Sequence, residues 1–186
     1  MNLKNVLTAD LNRLRGLQGM PMVEASWWVL VCACGSVRFL PVAFFRFSHA
    51  AHSRGRGKLA HLFSLLNFIL FGLEASPQIE IGPGLFFPHT RGTVIGARSI
   101  GANATIFHQV TIGASQLDMD FNPHLRPALG DEVTLGAGAK ILGAIEIGSR
   151  VIIGANSVVV KDVPSDTVCA GVPAKVVRQR NASIEK

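Results

Sequence analysis

Aliphatic residues recur at every sixth position in the second half of the chain: Leu129, Leu135, Ile141, Ile147, Ile153 and Val159. Glycine follows four of them, at Gly130, Gly136, Gly148 and Gly154, and the same beat runs earlier through Ile100, Ile106 and Ile112. One aliphatic residue every six positions, with small residues between, predicts a parallel β-helix in which each hexapeptide is a short strand plus a corner. Glycine admits backbone turns there that a side chain would obstruct. A one-residue slip between Ile95 and Ile100 predicts a distorted corner. The beat stops between Ala114 and Ala128, so residues 114–128 read as a loop leaving one face of the solenoid, a common place for function.

Residues 1–73 lack this beat and predict a helical cap. Leu3, Val6, Leu7, Leu11 and Leu14 fall at helical spacing, as do Leu59, Leu62, Phe63, Leu66, Ile69 and Leu70 in a second segment. Arg54-Gly55-Arg56-Gly57-Lys58 reads as a basic turn between helices. The run from Trp27 to Phe45 is strongly apolar, but Arg38 and Pro41 interrupt it, and a spanning helix needs about 20 apolar residues. A packed helical element is therefore expected, with peripheral membrane contact through this apolar and basic region left open. The solenoid is expected over 74–177 and a polar tail over 178–186.

Composition adds compartment and partners. Hydrophobic residues make up 48% and charged residues 16% of the 186, consistent with a solenoid that also buries surface between subunits. The net charge of +6 suits nucleic acid, an acidic membrane or a phosphorylated small molecule. Nucleic acid is set aside because no binding motif accompanies the charge and tyrosine is absent. The three cysteines, Cys32, Cys34 and Cys169, make a poor disulfide framework and point to a reducing cytoplasm. Cys32-x-Cys34 lacks further ligands at metal spacing, so no metal site is expected, and the pair reads as buried thiols in an apolar helix.

His89, in the polar interruption Phe87-Pro88-His89-Thr90-Arg91-Gly92, is the leading candidate for acid–base chemistry, since imidazole exchanges protons near neutral pH. Glu74 lies fifteen residues upstream, nearly one circuit of a solenoid, where a carboxylate could orient the ring. His108 reads as outward-pointing or intersubunit, and His124 as a possible substrate contact in the loop. No nucleophile elbow, phosphate loop or dinucleotide fingerprint is present.

Several ordered segments carry a resemblance: Arg46-Phe47-Ser48-His49, Ile81-Gly82-Pro83-Gly84-Leu85-Phe86, His89, Gln109-Val110-Thr111-Ile112-Gly113, Gly136 to Gly143, Ile153 to Val159, and Ala170-Gly171-Val172-Pro173-Ala174. Over residues 38 to 177 the chain resembles the serine O-acetyltransferase group of hexapeptide-repeat acyltransferases. The resemblance implies a left-handed β-helix, a homotrimer with sites between neighbouring prisms, and acetyl-CoA as donor. Assembly into a hexamer is left open. It also implies His89 as general base, Glu74 (normally Asp) as its orienting carboxylate, and Gly113, Ala137 and Ala155 as lining of the pantetheine groove. Lys175 is a candidate for the nucleotide phosphates.

Two departures bear on the acceptor. Serine-specific members carry Asp immediately before the base, where this chain has Pro88, and an Arg-His pair where it has Leu125-Arg126. Loss of a carboxylate weakens recognition of the serine ammonium, while Arg126 and His124 remain candidate acceptor contacts. The short cap is similar to that of relatives in bacterial polysaccharide pathways. The expectation is an O-acetyltransferase favouring a sugar hydroxyl, with O-acetylserine formation for cysteine biosynthesis as the alternative and a non-catalytic scaffold as the reading of another class.

Overall fold

The protein is described by a computed structural model covering residues 2–180; from residue 181 onward the expected polar tail lies outside the described residues. Among the described residues four α-helices come first: α1 (Leu3–Leu17), α2 (Trp27–Ala33), α3 (Leu40–His52) and α4 (Gly57–Phe71). The side chains of Asn2 and Ser26 cap α1 and α2 by accepting from Lys4 and Val29 amides. The apolar run from Trp27 is therefore two helices broken at Gly35 to Phe39, and no described helix is long and apolar enough to cross a membrane. Leu7, Leu11 and Leu14 of α1, Leu30 of α2, and Phe39 and Ala43 pack into a core for the cap.

Two expectations for the cap need correction. Cys32 is exposed on α2 and Cys34 only partly buried, because the buried face of that short helix is taken by Leu30. On α4, Leu59, Leu62, Ile69 and Leu70 are exposed, while Ala60 and Asn67 are buried. This helix is apolar on all sides, so spacing alone did not select its inner face.

A buried ion pair joins the cap to the strands. Arg46 of α3 donates from Nε to Asp10 Oδ2 at 2.8 Å and from Nη2 to Asp10 Oδ1 at 3.0 Å. The same guanidinium reaches the carbonyls of Ile81 and Gly82, and Asp10 accepts from the amides of Gly84 and Leu85. Three remote segments thus satisfy one another in a buried site.

From Leu73 the chain winds through three parallel sheets. One stacks Leu73–Ala75, Thr93–Ile95, Thr111–Gly113, Lys140–Leu142 and Val158–Val159. A second stacks Glu80–Ile81, Ser99–Ile100, Ala128–Leu129 and Glu146–Ile147. The third stacks Thr105–Ile106, Thr134–Leu135, Ile152–Ile153 and Thr167–Gly171, closed by the antiparallel strand Ala174–Gln179. The six-residue beat is the inward ladder of these sheets: Ile112 pairs with Ile141, Leu129 with Ile147, and Leu135 with Ile153. Ile106, Ile112, Leu135, Ile141 and Ile153 have no solvent exposure. Every third hexapeptide returns to the same sheet, so one turn adds one layer of side chains to the core.

Candidate active site

His89 stands on the corner that leads into Thr93–Ile95, and the backbone that follows it is tied to the end of α4. Thr90 Oγ1 donates to the Phe71 carbonyl at 2.9 Å, and the Gly92 amide to the Gly72 carbonyl at 2.9 Å. Gly72 ends α4 with φ +61°, a left-handed turn that carries the chain from helix into the first strand beneath this corner. The imidazole is exposed in a hollow of about 590 Å³ lined by Val37, Arg38, Leu70, Phe71, Arg91 and His108, among others. Among the described residues two guanidinium groups and no carboxylate line it, so it favours anionic groups.

Successive coils superpose their corners above His89. The Gln109 amide donates to the Arg91 carbonyl at 3.1 Å, the Gly138 amide to the His108 carbonyl at 3.0 Å, and the Asn156 amide to the Ala137 carbonyl at 2.8 Å. One prism edge therefore carries His89, His108, Ala137 and Ala155 in order. Gly138 takes φ +75°, and a Cβ there would run into the Asn156 side chain, so the corner holds to glycine. Lys175 is exposed on the closing strand, opposite Ala170, which lies over Gly154. Lys140 Nζ, which motif reading passed over, donates to the Gln109 carbonyl on this edge at 2.6 Å.

His108 is the residue the sequence undervalued. Its ring meets His89 edge to face with centroids 5.6 Å apart, and its Nδ1 is buried without a hydrogen-bond partner. Pairing of two histidines one coil apart was available from the repeat period, but the slip near Ile95 hid it.

The remaining candidates lie elsewhere. Glu74 is exposed on Leu73–Ala75 and makes no hydrogen bond to His89 in the single chain. It lines a second hollow of about 750 Å³ with Gly113, Arg126 and Asp118. Arg126 is buried and engaged: it donates to Asp118 Oδ2 from Nε at 2.9 Å, pairs with it through Nη2 at 2.7 Å, reaches the Gly96 carbonyl at 3.0 Å, and stacks over Phe121. Its observed work is to hold the inserted loop against the solenoid at the irregular corner near Gly96. His124 is exposed on a 3-10 turn, Pro123–Leu125, and lines neither hollow.

Asp118 is held below the ordinary carboxylate range first by the Asn122 amide and then by Arg126, against an opposing desolvation. A depressed folded value means that its contribution to loop order is fully present above about pH 4 and fades only as pH falls through the lower folded value. A carboxyl-carbon NMR titration of Asp118 should give a midpoint below that of an unfolded Asp. Asp118→Asn should speed proteolytic cleavage between residues 114 and 126 at neutral pH.

Comparison with known proteins bears on this edge. The family model described as bacterial transferase hexapeptide (six repeats) matches residues 127–161. A serine acetyltransferase of Helicobacter pylori strain J99 is 40% identical over 164 residues, covering 88% of this chain and 92% of the relative. The chain belongs to the serine acetyltransferase family. It is thus an acetyltransferase on a left-handed parallel β-helix with a short helical cap. A Mycobacterium tuberculosis serine acetyltransferase is 41% identical over 139 residues, 74% of this chain but 59% of that longer one. Among solved structures, the Neisseria gonorrhoeae serine acetyltransferase superposes with a TM-score of 0.81 at 32% identity, covering 97% of this family member and 68% of that chain. A serine acetyltransferase solved in complex with CoA superposes with a TM-score of 0.72 at 31% identity, covering 93% and 68%.

Proposed function

We propose that the protein transfers the acetyl group of acetyl-CoA to the hydroxyl of L-serine, with His89 as general base. The near end-to-end match to the Helicobacter pylori serine acetyltransferase carries this reading. Because that relative is matched over most of its own length, a short cap does not separate this chain from enzymes of that name. The relatives described above favour L-serine over the sugar acceptor expected from Pro88.

When bound, acetyl-CoA supplies the thioester. A ring nitrogen of His89 takes the acceptor hydroxyl proton as the oxygen bonds to the acetyl carbon; the carbon–sulfur bond breaks, and the imidazolium returns the proton to the departing thiolate. His108 packs against the His89 ring and fixes its plane. Ala137 and Ala155 leave room on the prism edge for the slender pantetheine arm, and Lys140 and Lys175 lie near it for phosphate oxygens. Arg91 and Arg38 suit the carboxylate of serine. Glu74 is assigned the orienting carboxylate role in a homotrimer, where a neighbouring prism closes over the exposed face between the two hollows and Gly113 joins the donor groove.

A specific observation favours the sugar reading: among the described residues the His89 hollow has no carboxylate for an ammonium group, and Arg126 is already paired. Release of CoA by the purified protein, measured with L-serine and with a panel of sugars, decides between them. Turnover on L-serine at least about tenfold above any sugar is expected; preference for a sugar would reassign the acceptor.

A further inference from the structure

Within residues 17–37, Leu17, Met20, Met22, Trp27, Trp28, Val31 and Cys32 present side chains that neither the His89 hollow nor the cap core uses, while Val37 is exposed at the lining of that hollow. Within α2, Leu30 faces the core, while Trp27, Trp28 and Val31 face outward with Cys32 beside them. Met22, Trp28 and Val37 expose 79%, 74% and 74% of their surface, and Leu17, Met20, Trp27 and Val31 about half or more. From Ala25 to Val37 no side chain carries a charge. On α2 the exposed side chains are mostly hydrocarbon, with the indole nitrogens and Cys32 as the polar points.

The charge of the cap as a whole is one-sided. Between Asp10 and Glu74 the lone acidic residue is Glu24, which shares a small hollow with Lys4. Asp10 and Arg46 neutralise each other in the interior. Beyond that pair the cap carries Lys4, Arg15, Arg38, Arg54, Arg56 and Lys58, and the half-buried Arg13, against Glu24. A second copy docking through this face would bring two cationic caps together, whereas an anionic bilayer satisfies both the charge and the apolar side chains. Adjacent tryptophans on a short helix of a cationic cap match the headgroup–acyl boundary, where indole rings bury their carbon while the N–H stays wet.

We propose that residues 17–37, led by Trp27 and Trp28, dock the protein on anionic membrane surfaces as a peripheral contact that does not span the bilayer. Trp27 and Trp28 are the two tryptophans of the chain, so indole emission reads this face alone. The full-length protein is mixed with vesicles of phosphatidylcholine, or of equal parts phosphatidylcholine and phosphatidylglycerol, and followed by flotation and by quenching with brominated lipid. The expected result is flotation with the anionic vesicles, weakened by salt, with blue-shifted emission that brominated chains quench. Trp27→Ala/Trp28→Ala, and separately Val31→Glu, should lower the floated fraction about tenfold while CoA release and sedimentation stay as in the unaltered protein. No flotation on anionic vesicles, or flotation without quenching, would overturn the proposal. A smaller sedimenting species in either variant would also overturn it, assigning the face to contact between copies.

Discussion

Replacing His89 by alanine is expected to lower acetyl transfer by roughly two to four orders of magnitude, the usual contribution of a positioned general base. The fold should survive. His89 is exposed on a corner held by backbone hydrogen bonds and by Thr90, so its side chain contributes little to the core. The measurement is CoA release at saturating acetyl-CoA, alongside circular dichroism and sedimentation of the same preparation. Near-normal turnover in a folded variant would remove His89 from the base role. His108→Phe separates positioning from proton transfer: it keeps an aromatic edge against His89 and should reduce kcat far less than His89→Ala. If His108 were itself the base, the order of the two variants would invert.

The largest stability effect is expected at Arg46. Truncation to alanine leaves the Asp10 carboxylate buried with only the Gly84 and Leu85 amides as partners, and removing one member of a buried pair costs about 3–5 kcal/mol. Urea and thermal unfolding of Arg46→Ala should show that loss. Asp10→Leu combined with Arg46→Met should recover part of it, because an apolar pair carries no uncompensated charge, although the Gly84 and Leu85 amides and the Ile81 and Gly82 carbonyls lose these partners. An Arg46→Ala protein as stable as the unaltered chain would mean that water reaches this site and solvates the carboxylate. Cap and solenoid meet here, so the variant also asks whether the helices stay seated when the connection is lost.

Much of the architecture was legible in one dimension. The beat from Leu129 to Val159 is the core ladder itself, because a solenoid turns sequence period directly into spatial repetition and buries the same position of each hexapeptide. The helical reading of Leu3 to Leu14 succeeded for a related reason, since α1 is amphipathic and buries Leu7, Leu11 and Leu14. It failed on α4, where apolar residues surround the helix and only tertiary contacts chose Ala60 and Asn67 as the inside.

For the site, the sequence by itself determined that His89 interrupts the strand pattern at a corner and that Ala137 and Ala155 hold one phase of the repeat; their roles are proposals. Which residues share an edge was decided only by the tertiary structure. The slip near Ile95 and the insertion at 114–128 shift the phase of everything around them, so linear spacing no longer tells which corner lies above which. The fold brought His108 onto His89, paired Arg126 with Asp118, and left Glu74 in the neighbouring hollow. Packing and charge pairing act through space, and a periodic pattern records them only while the period is unbroken.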